Sequence, residues 1–492
     1  MSNLIKKIIL LFFLITIFLI ICISTFKESF KSVSSIESSR IITYEKNFSI
    51  YIDNMRGTYS HIDNAYYFSH NDSDVHINSI NIKSNKNYKY KIIDKKIKKY
   101  ENGQILIYND KEYQIINIKF TNIPIISIYD NNHIDLSIEN VNKKKIKNDS
   151  LIFISSNIDN DINGKGYVFS LEYHERGNTT KKFPKKSYKL NIDSDKYILG
   201  IPYGENYVLD PLYMDSSKVR NKLTSDLWNL SNNNQIYDND LYTQFVEVYI
   251  NDNYMGLYLL KNSVSKRCFS IDKSGYLLKA YNKFKPNDYS VNEEHILNFV
   301  FKYSNDKNKT YKNFADKIQY VYNNNQNYES MNKTFYMDNY LNYILMVIFT
   351  FGIDNIDKNY YLSLNGSSDK LLITPWDLDL TFGNSWGKNE FNGEIFNPGS
   401  YNDTKTLNRI IKNIDEPTLE LLKKRYQELR KDVYNIETID KFLNQYKNEL
   451  NKDIIKRDTD RWYFYDLNEK TEQISNWSKS RFYFLDQYFD KL

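Results

Sequence analysis

The sequence predicts a membrane-tethered α+β protein of two domains, and three features predict it. An uncharged apolar run lies near the amino terminus, short period-two segments fill residues 44–120, and helical stripes follow one another after Asp377. The chain has 492 residues, enough for two or three domains. Hydrophobic residues make up 41% and charged residues 26%, the balance of a globular chain rather than a disordered one. The net charge of +5 is spread over many lysines and aspartates, so no concentrated basic face argues for nucleic acid as a partner. The 44 tyrosines, with abundant Asn, Lys and Ile, read as the mark of an AT-rich genome, and tyrosine clusters are taken first as strand and core residues.

At the amino end, Lys6 and Lys7 precede the apolar run 8–26, about long enough to span a hydrocarbon core as a helix. Positive residues ahead of the run keep that end in the cytoplasm. The expectation is an uncleaved anchor over 1–26, with the bulk of the chain extracytoplasmic; a cleaved signal peptide is the rival, but no small-x-small site follows. Residues 27–43 are serine-rich and read as a tether. Cys22 and Cys268 are the two cysteines, and with one of them in the apolar run no disulfide framework is expected.

Residues 44–120 alternate strand-type runs with turns, at 48–52, 75–82, 88–93, 104–108 and 113–120, which predicts a small all-β domain. It reads as a spacer, or as a sandwich that binds carbohydrate or protein. The second domain occupies 121–492. Its first strands are expected at 123–129 and 166–173, and the strand after Lys186 puts Lys186, Tyr188, Leu190 and Ile192 on one face. Asp215 opens a helix to Leu230, with Arg220 at the border of its apolar stripe. Runs 245–250 and 255–260 bracket Asn251-Asp252-Asn253 as a hairpin, on which Glu247 is the candidate partner for Lys186. One helix is expected over 331–351, ended by Gly352 as its cap. Four more helices follow at 406–414, 418–434, 438–457 and 471–489, the last with an apolar stripe of Ile474, Trp477, Phe482 and Leu485 interrupted by Arg481.

The chemistry concentrates at 354–383. Asp354 and Asn359 have the D-x-x-x-x-N spacing in which an aspartate accepts a substrate hydroxyl proton and an asparagine ligates a metal. Asp377 follows the apolar run Leu371, Leu372, Ile373, inside Trp376-Asp377-Leu378-Asp379. Asn365-Gly366 turns the segment between them into a hairpin that brings the two motifs together. Mg²⁺ takes hard oxygen ligands, usually one or two carboxylates with phosphates and water, and Asp377 with Asp379 or Asn359 supplies such a set. In a chain rich in Asp and Asn the same spacing also arises from turn residues. For phosphate, Lys186 and Lys279 are rival strand lysines, and the backbone of 176–180 is a cradle in which Gly177 permits close approach and Arg176 adds charge. Trp376 is a candidate to stack on adenine and equally a core tryptophan.

Four blocks carry a family resemblance: Arg176-Gly177-Asn178-Thr179-Thr180 with Phe183-Pro184-Lys185-Lys186-Ser187-Tyr188; Tyr249-Ile250-Asn251 with Tyr254-Met255-Gly256-Leu257-Tyr258-Leu259; Asp354 with Lys358-Asn359-Tyr360-Tyr361-Leu362; and Pro375-Trp376-Asp377-Leu378-Asp379 with Phe382-Gly383. In that order they resemble the CotH family of atypical protein kinases, over about residues 118–490. The resemblance implies a reduced kinase-like fold that phosphorylates protein hydroxyls with ATP and Mg²⁺ or Mn²⁺. The resemblance makes Asp354 the catalytic aspartate and Asp377 the metal aspartate; the reading of the residues adds Asn359 and Asp379 to the metal set and Arg176, Asn178, Lys186, Lys279 and Trp376 as nucleotide contacts. The expected partner is a surface or spore-coat protein. One departure stands out: after the Gly-Leu-Tyr block the chain reads Lys261-Asn262-Ser263, where the family pattern leads one to expect a glutamate. AMP transfer by the same carboxylates, and a non-catalytic adhesin or scaffold, are the competing functions.

Overall fold

The computed structural model describes residues 40–41, 48–70, 74–98, 101–130, 133, 150–156, 167–177, 180–192, 198–201, 206–232, 239–281, 295–296, 299–385, 394–395, 397–412 and 414–492. It is a mixed α/β protein with ten α-helices among those residues. The expected anchor at 1–26 lies outside them, and within them no helix is long and apolar enough to cross a membrane.

The amino-terminal strands form a six-stranded sheet, a three-stranded sheet and a two-stranded ribbon around a core that includes Ile50, Phe68, Ile105, Ile107 and Ile118. Alternation explains the inward set: Ile105 and Ile107 are fully buried, while Gln104 faces solvent. The expected strands at 48–52, 104–108 and 113–120 are present as Phe48–Ile52, Gly103–Tyr108 and Glu112–Thr121. The run at 75–82 is instead two strands, Asp74–His76 and Ile80–Ser84. Arg40–Ile41 pairs in parallel with Glu112 and Tyr113.

Seven strands then close a barrel: β1 (Ile125–Asp130), β2 (Ser150–Ser155), β3 (Tyr167–Arg176), β4 (Ser187–Ile192), β5 (Asn206–Asp210), β6 (Thr243–Ile250) and β7 (Asn253–Asn262). Closure comes from the parallel pairing of β1 with β6, Ile125 opposite Glu247. Tyr188, Leu190 and Ile192 fill the interior with Ile126, Val248 and Tyr258, as period two requires. The β6–β7 turn has positive φ at Asn251 and Asp252, the geometry that suits a two-residue hairpin. Residues of the amino-terminal strands seat directly on the barrel wall. Thr58 and Ser127 hydroxyls are 2.7 Å apart, Ser155 Oγ donates to Arg56 O at 3.1 Å, and the Arg56 guanidinium lies 4.2 Å from the Phe153 ring centre.

Beyond the barrel, α1 (Arg220–Asn232) leads to a second sheet built from β8 (Tyr276–Ala280), β9 (His295–Ile296), β10 (Phe299–Ser304), β11 (Tyr360–Leu364) and β12 (Leu372–Pro375), in the order β9-β10-β8-β11-β12. Helices α2 (Lys307–Asn323), α3 (Tyr328–Thr334), α4 (Met337–Thr350) and the single turn α5 (Asp354–Asp357) precede β11. The helix expected at 331–351 is thus broken. Phe335 leaves it to bridge Leu371, whose N–H donates to Thr334 O at 2.8 Å and whose carbonyl accepts from Tyr336 N at 3.1 Å. The left-handed residue that ends α4 is Phe351, not Gly352.

The remaining helices are α6 (Tyr401–Ile411), α7 (Glu416–Asp432), α8 (Ile436–Glu449), α9 (Lys452–Arg461) and α10 (Leu467–Phe489). The expected helix 438–457 is two, because Asn451 caps α9 by accepting from Asp453 N and Ile454 N. The largest core joins these helices to α1, α4 and the second sheet through Trp228, Ile348, Phe349 and Leu485. Arg481 is fully buried in the α10 stripe, paired with Asp403 and donating to Ile348 O. Arg220 is likewise structural, with its Nη1 2.6 Å from Asp215 Oδ1.

Candidate active site

Between the barrel and the second sheet lies a cleft of about 520 Å³. The barrel contributes Arg176, Ser187 and Asp210; the sheet and its flanking turns contribute Lys279, Asp354, Lys358, Asn359, Trp376, Asp377 and Asp379. Asp354 and Asn359 precede β11 and Asp377 follows β12. Since Tyr360 pairs with Pro375, both motifs emerge at the same end of the hairpin.

Both acidic motifs hold a non-glycine residue in left-handed backbone: Asn359 with φ +58° and Asp377 with φ +61°. Such conformations are uncommon and persist where surrounding contacts hold them. Asn355 is the contact that holds them here. Only 1% exposed, it donates from one amide nitrogen to Asn359 O and Trp376 O, each at 2.9 Å. Trp376 N donates to Asn359 O at 2.9 Å, which closes the same ring of bonds.

Asp354 is oriented through a single oxygen. Its Oδ2 accepts from Asn359 Nδ2 at 2.9 Å and pairs with Lys358 Nζ at 3.1 Å. Among the described residues Oδ1 takes no hydrogen bond, so that oxygen is available to an incoming hydroxyl. The Asn359 amide, donating to Asp354, keeps its own oxygen for a cation.

Charge is divided across the cleft. Burial, reinforced by the Asp377 and Asp210 carboxylates, pushes the Asp379 carboxyl well above the usual carboxylate range. Asp210 is held below that range, its burial outweighed by Lys261 at 2.6 Å and by the Leu212 N–H. On the cationic side, burial draws Lys279 below the usual lysine range; Asp377 opposes that shift and Arg176 adds to it. Neither Arg176 nor Lys279 has a carboxylate within 4 Å among the described residues. Two cations without such a partner, across from massed carboxylates, suit a polyphosphate that arrives with a divalent metal.

The donor set fits such a metal by chemistry rather than as a preformed cage. Among the described residues no three carboxylate, histidine or cysteine side chains converge on one point. Mg²⁺ is commonly bound by one or two carboxylates with phosphate oxygens and water. Asp377, Asp379 and Asn359 supply hard oxygens along one wall, and the raised Asp379 marks a negative field that a cation would relieve.

Of the residues singled out in the sequence, Arg176, Lys279, Asp354, Asn359, Trp376, Asp377 and Asp379 all line this cleft, and Asn178 lies outside the described residues. Lys186 is a correction. Its ammonium donates to Lys181 O at 2.6 Å, because β4 begins only at Ser187 and the inward alternation starts at Tyr188. The buried lysine is its neighbour Lys185, which pairs with Asp458 at 2.7 Å and donates to Leu257 O at 2.6 Å. Glu247 is not the partner of Lys186 either; it takes Arg457 at 2.7 Å through both carboxylate oxygens. Trp376 lines the cleft as wall rather than platform. The residue is 5% exposed, packs edge-on against Tyr361 at 5.9 Å, and has Lys261 Nζ at 4.8 Å and Arg176 at 5.9 Å from its ring centre.

Asn355, Lys358, Asp210 and the role of Lys261 went unread in the sequence. Lys358 sits beside Asn359 in the motif, and its four-residue spacing from Asp354 was the available signal. Asp210 and Lys261 meet only because β5 and β7 are neighbours in the barrel.

The fold and cleft define a mixed α/β protein in which a hairpin delivers two acidic motifs opposite two cations, Arg176 and Lys279. The chain matches the CotH kinase protein family over residues 174–485, and it belongs to that family. No curated protein matches it.

Proposed function

We propose that the protein transfers the γ-phosphoryl group of ATP to a serine, threonine or tyrosine hydroxyl of a surface or spore-coat protein. The observation that carries this reading is the convergence of Asp354, Asn359 and Asp377 on one cleft with Arg176 and Lys279. Asp354 Oδ1 accepts the hydroxyl proton as the oxygen attacks the γ-phosphorus and the bond to the β,γ-bridging oxygen breaks to release ADP, while Lys358 and Asn359 hold Oδ2 and fix the carboxylate plane. Arg176 and Lys279 bind phosphate oxygens and take up the charge of the transferring group. Asp377, Asp379 and Asn359 would hold Mg²⁺, which when bound would offset the charge of the phosphate oxygens. The apolar run at 8–26 tethers the chain, and the catalytic cleft faces the cell exterior.

The test is Mg²⁺-dependent ATP binding to the chain from Arg40 onward, by calorimetry, beside Asp377→Ala. Binding that disappears in the variant supports the reading. No binding to folded protein with Mg²⁺ or Mn²⁺ refutes it and leaves a scaffold. Transfer followed with α- and γ-labelled ATP then separates phosphorylation from AMP transfer.

A further inference from the structure

Past the end of β5 at Asp210 the chain runs on as Pro211, Leu212, Tyr213 and Met214 with neither strand nor helix, and all five residues line the cleft. Leu212 is 2% exposed and has φ +53°, a left-handed backbone in which Cβ crowds the following carbonyl oxygen. Such a conformation lasts where neighbouring contacts hold it. One contact is local: the Leu212 N–H donates to Asp210 Oδ1 at 3.1 Å. The other comes from Lys218, whose Nζ donates to Leu212 O at 2.9 Å.

Lys218 is fully buried and itself left-handed, with φ +63°, and among the described residues no carboxylate lies within 4 Å of its amine. Burial draws its pKa down to about 7, with Asp458 and Asp215 opposing the shift and Lys185 adding to it. Its other contacts come from the link between α9 and α10. Nζ donates to the Tyr463 hydroxyl and lies 4.2 Å and 4.7 Å from the Tyr463 and Tyr465 ring centres. Tyr463 passes the contact on: its hydroxyl donates to Tyr213 O, and its ring packs edge-on against Tyr213 at 5.2 Å. Tyr465 is anchored in turn, donating to Asp458 Oδ2 at 3.2 Å. Two successive carbonyls of the cleft wall, Leu212 O and Tyr213 O, are thus held by Lys218 and Tyr463, neither of which lines the cleft.

An apolar side chain would occupy the same space without the cost of burying an amine. What the lysine adds is its bond to Leu212 O and its bond to Tyr463. The wall matters to the site because Asp210, at its start, lies close enough to Asp379 to act on its charge. Resting on the nucleotide reading of the cleft, we propose that Lys218 is a positioning residue: with Tyr463 it clasps the 210–214 wall in the turn that sets Asp210 across from Asp379, and so sets the affinity for Mg²⁺–ATP. The wall hangs from the barrel and the Asp354 loop from the second sheet. Loss of the clasp therefore weakens nucleotide binding while Asp354, Lys358 and Asn359 keep their bonds to one another.

Two variants of the full chain test the clasp. Lys218→Met keeps the bulk and removes both bonds, whereas the milder Tyr463→Phe keeps the ring and removes the bond to Tyr213 O. The first readout needs no nucleotide: hydrogen exchange at the amides of 212–214 should quicken about tenfold or more in both, as local opening becomes easier. The second is calorimetry of Mg²⁺–ATP binding. Kd should rise about tenfold in Lys218→Met and about threefold in Tyr463→Phe, the effects of losing a charged and a neutral hydrogen bond. The double variant should stay within about twofold of Lys218→Met, because both side chains act on one wall. A fold that is merely weakened gives the opposite pattern, fewer binding sites per chain at an unchanged Kd. Phe464→Ala, an 83%-exposed neighbour in the same link, should leave both readouts unchanged. Unchanged exchange at 212–214 in both variants overturns the clasp. Faster exchange with an unchanged Kd, or a fall in stoichiometry alone, overturns the positioning role. Folded wild-type protein that binds no Mg²⁺–ATP refutes the nucleotide reading instead, and exchange at 212–214 still decides the clasp.

Discussion

Replacing Asn355 isolates the bonds that hold the two acidic motifs together. In Asn355→Ala two hydrogen bonds from one buried amide disappear, each with a net value of about 0.5–1.5 kcal/mol. Asn359 O keeps the Trp376 N–H, whereas Trp376 O loses the amide that reaches it, at a cost of about 1–3 kcal/mol for a buried unsatisfied carbonyl. Together these destabilise the local structure by about 2–6 kcal/mol. Asn355→Asp has nearly the same shape but turns a carboxylate oxygen toward two carbonyl oxygens, so at neutral pH it should be worse than alanine. Shift of the urea midpoint, read by tryptophan fluorescence, gives the order wild type, Ala, Asp. Phosphate transfer should fall about a hundredfold in the alanine variant, the effect of roughly 1 Å of misplacement. An Asp variant as stable as Ala, or an Ala variant within about 0.5 kcal/mol of wild type, typical of a neutral surface change, would refute the argument.

Three further outcomes follow from the same geometry. Asp379 has a folded pKa above its unfolded one, so its stabilising contribution is full below about 3.9 and is lost as pH rises through the folded value. Asp379→Asn should therefore melt higher than wild type at neutral pH, with the gap closing in acid, while Mg²⁺–ATP affinity drops; a lower melting temperature at neutral pH would contradict the charge reading. Lys358→Met should cut turnover about 10- to 100-fold through loss of Asp354 orientation, with ATP affinity nearly unchanged, whereas unchanged turnover would reduce the pair to surface decoration. Arg457→Leu leaves Glu247 buried and unpaired and should cost about 3–5 kcal/mol, much of it recovered in the double variant Glu247→Leu/Arg457→Leu. Chemical denaturation of the single and double variants checks the recovery.

Local signals made much of the site legible. The hairpin around Asn365-Gly366 was readable from one turn dipeptide between two apolar runs, and with it the meeting of Asp354, Asn359 and Asp377. Lys279 and Arg176 were readable as cations beside strands. What stayed hidden depends on pairing between distant segments. Seven strands closing through the parallel β1–β6 contact leave no trace in period-two alternation. Lys186 precedes the first strand residue, Ser187, so the alternation does not extend to it, and its buried neighbour Lys185 finds its partner 273 positions away in Asp458. Two helices read as one in each of two places, since tertiary contact at Phe335 and side-chain capping at Asn451 overrode continuous apolar spacing. Asn355 looked like one more asparagine in a chain full of them; only its burial reveals the two carbonyls it joins.

Trp376 has a consequence beyond its place in the core. Asp354, Asn359, Asp377 and Lys279 hang from the second sheet, whereas Arg176, Ser187 and Asp210 hang from the barrel. Its indole lies where these two bodies meet, against Tyr361 of the sheet and under Lys261 of the barrel. It therefore acts as a shim: the thickness of one aromatic ring sets the gauge of the cleft, and the jaws that would grip a triphosphate are held apart by a side chain that need never touch it.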